Sequence, residues 1–174
     1  MKTKGATLII LCICIAGFLP GNGKADSAIG AVVELMISNC VKVYDRLNIG
    51  VTETGTYLFT TQYLTWDEAR QYCKGLGLEL ATTDTKLKTD VIFEEALDKF
   101  KNETARFWTS GSDKGRKPGK FFWSNGNALN ESLWLSGQPK NVNDKEPSCI
   151  TLRKGGLGDC PCSVRRRTVC EYIE

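Results

Sequence analysis

Histidine is absent from the chain's 174 residues. That excludes Ser-His-Asp and Cys-His catalytic machinery and every histidine-ligated zinc site. No redox-active C-x-x-C motif occurs either. Paired carboxylates do occur at Asp67-Glu68 and Glu94-Glu95. They fall in helical patterns and read as solvated faces rather than as acid–base pairs, so no enzyme is expected. Long hydrophobic runs are also missing. The longest, Ala6–Phe18, falls short of the roughly 20 apolar residues a membrane helix requires. There is no internal repeat and no low-complexity tract.

That short apolar run follows Lys2 and Lys4 and precedes Pro20, Gly21, Gly23 and Ala25, the layout of a signal peptide over residues 1–25, cleaved after Ala25. A secreted, extracellular chain follows. The formal charge of +3 disappears with the leader, which carries Lys2, Lys4 and Lys24 and no acid, leaving 23 − 3 = 20 basic residues against 20 acidic ones. A neutral chain gives no reason to expect nucleic acid or a membrane surface as partner. Charge is nonetheless polarised: residues 26–100 hold 7 Lys/Arg against 12 Asp/Glu, whereas residues 101–174 hold 13 against 8. A partner of negative charge would prefer the second half.

Beyond the leader stand Cys40, Cys73, Cys149, Cys160, Cys162 and Cys170, an even set suited to disulfides in an oxidising compartment. A bridge within Cys160-Pro161-Cys162 is disfavoured because one intervening residue does not suit normal disulfide geometry. Spacing leaves the other connectivities open. The cysteines are too sparse to hold a scaffold by themselves, so an ordinary core with disulfide staples is expected.

From Ser27 to Leu47, Val33, Ile37, Cys40, Tyr44 and Leu47 recur at alternating steps of four and three, a helical seam. It reads either as an amphipathic helix packed on its own domain or as a pairing helix whose Cys40 bridges to another chain. Residues 26–54 are grouped as an N-terminal helical segment and 55–174 as the globular domain. Within the latter, Thr56–Thr60 reads as a strand. Thr65 and Glu68 have capping-box spacing, and Trp66, Ala69 and Cys73 share one face of the helix that follows. Leu78–Ala81 reads as a short apolar link. A second helix is expected over residues 86–100, with Phe93, Ala96, Leu97 and Phe100 on its core face. Beyond Phe107 come short aromatic segments broken by Gly, Asn and Pro, with a hairpin suggested by Phe121-Phe122-Trp123 and Asn125-Gly126. Sequons at Asn102-Glu103-Thr104 and Asn130-Glu131-Ser132 offer surface glycosylation sites.

The ordered set Trp66-x-x-Ala69-x-x-x-Cys73, Leu80-Ala81, Phe107-Trp108-Thr109-Ser110-Gly111, Phe122-Trp123, Trp134-x-x-Gly137-Gln138-Pro139, Cys149, Asp159-x-x-Cys162 and Val169-Cys170-Glu171 resembles the C-type lectin-like domain, in particular small secreted invertebrate, insect-type lectins. The resemblance covers residues 55–173. It implies an α+β fold, with two helices flanking small antiparallel sheets and a long ligand-binding loop. It also implies disulfides Cys73–Cys170 and Cys149–Cys162, leaving Cys40 and Cys160 to bond to each other or to carry a disulfide-linked dimer.

In sugar-binding members calcium is held by loop oxygens that also bond sugar hydroxyls, and the ion takes about six to eight of them. The residues implied here for calcium are Gln138, Glu146 and Asp159, with Lys140 and Asn141 added for sugar. Two positions depart from the pattern. Lys140 stands where an Asn or Asp is expected, and its ammonium offers donors only and repels a cation. Gly158 stands where an Asn ligand is expected. Asn141, Asn143 or Asp144 would have to supply the missing oxygens.

The implied function is extracellular carbohydrate recognition of an innate-immune kind, with glycans or glycoproteins as partners and a degenerate calcium site. The alternative is a calcium-independent module for anionic glycans or a protein, acting as a disulfide-linked subunit. Lys114, Arg116, Lys117 and Lys120 on one loop, and Arg165-Arg166-Arg167, supply oxyanion-binding chemistry for that alternative, or else a solvated basic face. Trp66, Trp108, Trp123 and Trp134 read as core residues rather than a sugar-stacking platform.

Overall fold

The structure, a computed structural model, describes residues 48–140 and 145–173, together with Ser38 and Lys42. Those two are helical and exposed; the rest of the 27–47 seam, Cys40 included, lies outside the described residues, as does the leader.

The globular unit begins at Asn48. Strand β1 (Ile49–Thr52) pairs antiparallel with β2 (Gly55–Phe59) across a tight turn. The Thr54 N–H donates to Thr52 Oγ1 at 3.2 Å, and the Tyr57 hydroxyl donates to the Thr54 carbonyl at 3.0 Å. β1 falls in the stretch grouped above with the helical segment, because four residues interrupted by Gly50 carry no readable alternation.

Helix α1 (Trp66–Gly75) starts on the expected capping box. The Thr65 N–H donates to Glu68 Oε2 at 2.9 Å and the Glu68 N–H to Thr65 Oγ1 at 3.4 Å, which satisfies two otherwise orphaned donors. Trp66, Ala69 and Cys73 are buried on one face. The apolar link contains a two-residue strand, β3 (Glu79–Leu80), paired with the last strand. Helix α2 (Lys86–Phe100) buries Thr89, Ile92, Phe93 and Ala96, with Leu97 and Phe100 packed partly against the same core.

Strands β4 (Phe107–Ser112), β5 (Ser148–Arg153), β6 (Gly156–Pro161) and β7 (Arg167–Glu171) complete the sheet. Its order is β1-β2-β7-β4-β5-β6, with β3 also on β7. All pairings are antiparallel except β4 with β7. The 121–126 hairpin survives as isolated bridges, Ser112 with Phe122 and Phe122 with Ala128, around a turn that needs Gly126 at φ +87°.

Two hydrophobic clusters lie against this sheet. One gathers Tyr57, Phe59, Phe93, Phe107, Ile150 and Val169. The other gathers Trp66, Ala69, Leu80 and Trp108 around the cysteines. Cys73–Cys170 and Cys149–Cys162 are bonded, as the resemblance implies. Cys160 is a buried free thiol facing the Arg166 guanidinium at 3.7 Å, and the partner expected for it, Cys40, lies outside the described residues. Trp66, Trp108 and Trp123 are buried, and Trp134 packs edge-on against Phe121 at 5.1 Å. Trp66 and Trp108 hand their indole N–H groups to the carbonyls of Thr109 and Leu64, both at 2.8 Å. They are core residues, as a buried aromatic with a satisfied donor should be.

Candidate functional site

The loop expected to carry the ligand leaves the core after a 3-10 turn (Glu131–Leu133). It is stitched to β6 at its start, where the Leu135 N–H donates to the Leu157 carbonyl at 2.9 Å. A turn through Gly137 at φ +73° follows, then a cis Gln138-Pro139 peptide. This geometry sets Gln138 and Lys140 beside Asp159, a buried residue of β6. The Lys140 N–H donates to Asp159 Oδ1 at 2.7 Å, and the Asp159 N–H donates to Gln138 Oε1 at 3.3 Å. Lys140 therefore engages the site through its backbone. Its aliphatic chain turns back over Gly137, with Cε 3.6 Å from where a β-carbon would stand there.

Of the expected ligands, then, Gln138, Lys140 and Asp159 are brought together. Asn141, Asn143 and Asp144 lie outside the described residues. Glu146 is exposed, accepts from the Ser163 hydroxyl at 2.9 Å, and lines a separate small cleft with Asp113, Arg116 and Pro147.

One residue that composition and motif did not single out sits at the centre. Arg153, at the end of β5, lays its guanidinium against the place where residue 158 would carry a side chain. A β-carbon on Gly158 would lie 2.4 Å from Arg153 Cζ and 2.5 Å from its Nε. The guanidinium is held there by Nε donating to Thr151 Oγ1 and Nη2 donating to the Asp159 carbonyl, each at 3.0 Å. Burial, with help from Arg106, lowers the Arg153 pKa from its ordinary value, while Cys160 and Asp159 pull it back. An arginine remains charged under these conditions. The available signal was a register one: Thr151 lies opposite Gly158, so Arg153 is a diagonal neighbour across a glycine, open space for a long side chain.

The described residues alone do not make a calcium site. Gln138 Oε1 and Asp159 Oδ1 already accept backbone N–H groups, Gly158 supplies no side-chain oxygen, and a guanidinium stands where the next ligand would begin. Among the described residues no group of three acidic or cysteine side chains could hold a metal.

The basic residues divide as well. Arg165 pairs with Glu68 at 2.9 Å, Arg166 faces Cys160, and Arg167 stacks over Phe100 at 4.5 Å, so the arginine run is spent on internal contacts rather than forming one platform. Lys114 and Arg116 instead border a cleft beside α1. Both sequon asparagines are exposed. Asn102 closes a local turn with Thr104, and Asn130 caps the 3-10 turn through the Ser132 N–H.

Comparison with known proteins places this geometry. The Lectin C-type domain family matches residues 62–172. Salivary C-type lectin 2 of Aedes albopictus is 34% identical over 125 residues, 66% of this chain and 82% of that one. C-type lectin 37Da of Drosophila melanogaster is 27% identical over 176 residues, covering 96% and 90%. Among solved structures, the C-type lectin CEL-I from Cucumaria echinata superposes with a TM-score of 0.60 at 20% identity, over 72% of this chain and 94% of that one.

Proposed function

The chain belongs to the C-type lectin domain family, whose members bind carbohydrate and are not enzymes, and we propose that it is a secreted glycan-recognition protein of extracellular fluid whose loop site works without calcium. The observation that carries the reading is the closed polar ring at β6. Asp159 and Gln138 satisfy each other's segments through backbone donors, and the Arg153 guanidinium supplies beneath Gly158 the positive charge that an ion would otherwise bring. Secretion is supported by the leader pattern of residues 1–25 and by the insect salivary relatives. No helix among the described residues is long and apolar enough to cross a membrane. Exposed sequons at Asn102 and Asn130 suit the same compartment.

The test is the melting temperature of the mature protein in millimolar calcium and in EDTA at fixed pH and salt. An ion that binds only the native state stabilises it by mass action, about 2.7 kcal/mol at a hundredfold excess over Kd. That corresponds to several degrees for a domain of this size. The expected shift is within about one degree, a small fraction of that, and glycan binding on an array persists in EDTA. A rise of several degrees with calcium, or loss of array binding in EDTA, overturns the reading.

A further inference from the structure

Away from the Gln138–Asp159 loop, a cleft of about 410 Å³ opens between the first turn of α1, the end of β4 and the 121–126 hairpin. Resting on the glycan-recognition reading above, we infer that this cleft is a second ligand site and takes a sugar that carries a sulfate or phosphate group. Its walls hold three cations and one carboxylate. Lys114 is neutralised by Asp67, 2.5 Å away, and lies over the Trp66 ring at 5.5 Å. Arg70 and Arg116 are exposed and have no carboxylate partner among the described residues. Two guanidinium forks with free donors therefore face one concave surface, the geometry that recognises tetrahedral oxyanions through paired, charge-assisted bonds.

Arg116 is held in place before any ligand arrives. Its side chain lies flat on Phe122, Cζ 3.8 Å from the ring centroid. Its backbone N–H donates to the Asp113 carbonyl at 3.0 Å. The buried Asp113 carboxylate in turn accepts from the Gly119 N–H at 3.0 Å and the Ser148 N–H at 2.8 Å, pinning the 113–120 loop to β5. Fixing a donor in advance lowers the ordering cost of binding. Hydroxyls suited to a sugar line the same space at Ser110, Ser112 and Ser124. Trp123, only 3% exposed, also lines it, and its buried indole N–H has no partner among the described residues. An unpaired buried donor is uncommon in a native fold and marks a place where a polar partner is missing.

The experiment is titration of the full mature chain with a heparin-derived tetrasaccharide and with mannose 6-phosphate, alongside a neutral glycan array. One anionic probe is expected to bind at low salt and weaken as salt rises, and which of the two binds separates a sulfate from a phosphate source. Arg70→Ala and Arg116→Ala should each weaken it about ten-fold, the loss of one charge-assisted contact. Arg165→Ala, on the basic run outside the cleft, should leave affinity unchanged. Unaltered melting temperatures verify that the variants fold. Equal losses in all three variants would mean a diffuse basic surface and overturn the cleft. Failure of both anionic probes while neutral glycans bind also overturns it and leaves the glycan-recognition reading intact. Failure of every glycan overturns both.

Discussion

Replacing Cys73 and Cys170 together by alanine lowers the stability of the domain by about 4–5 kcal/mol, the loop-closure entropy restored to the unfolded chain when a long bridge is cut. The two sulfurs join residues 97 apart in sequence, and both cysteines are fully buried. The bridge ties α1 to β7, and β7 is the strand on which the sheet turns, pairing with β2, β3 and β4. The same arithmetic gives about 3 kcal/mol for the Cys149–Cys162 bridge, whose sequence separation is 13. Chemical denaturation of the two paired variants checks the order as well as the size. The long-bridge variant should lose more, with a melting temperature lower by roughly 10–20 degrees. A larger loss from the short bridge would show that local strain or packing, rather than chain entropy, governs these staples.

Local chemistry was the legible part of this fold. The capping box at Thr65 and Glu68, the buried face Trp66–Ala69–Cys73 and the second helix rest on contacts within one or two turns, and each stands as expected. The bonded cysteine pairs followed from the family order of motifs, which carries three-dimensional information that spacing lacks. Elements defined by a distant partner were harder. β3 is two residues long and exists only through β7. The burial of Cys160 likewise comes from strand register, which sets it opposite Cys149.

The candidate site divides along the same line. The side-chain types at Gln138, Lys140, Gly158 and Asp159 announced a departure from calcium chemistry. How the site closes depends on the Lys140 backbone N–H and on Arg153, which stands five residues before Gly158 and reaches it only through the β5–β6 register. A backbone donor has no residue-type signature, and a strand-terminal arginine ordinarily reads as solvated.

Placing an asparagine at position 158 is the sharpest probe of that closure. The new β-carbon would stand 2.4 Å from Arg153 Cζ and 2.7 Å from Nη2, so the half-buried guanidinium must swing aside and give up its two hydrogen bonds. Gly158→Asn alone should therefore cost about 1–2 kcal/mol, the bonds the guanidinium gives up as it moves. Arg153→Ala alone should cost about 1–2 kcal/mol through the loss of its bonds to Thr151 and the Asp159 carbonyl. In the double variant the clash is gone and the asparagine amide takes the space the guanidinium held, so its cost should fall below the sum by about 1–3 kcal/mol, the coupling expected of groups in contact. Urea denaturation of the four proteins measures that coupling directly. Additive costs would mean that Arg153 keeps both bonds beside a side chain at position 158, and that the absence of a side chain there is not what lets the guanidinium close the ring around Asp159.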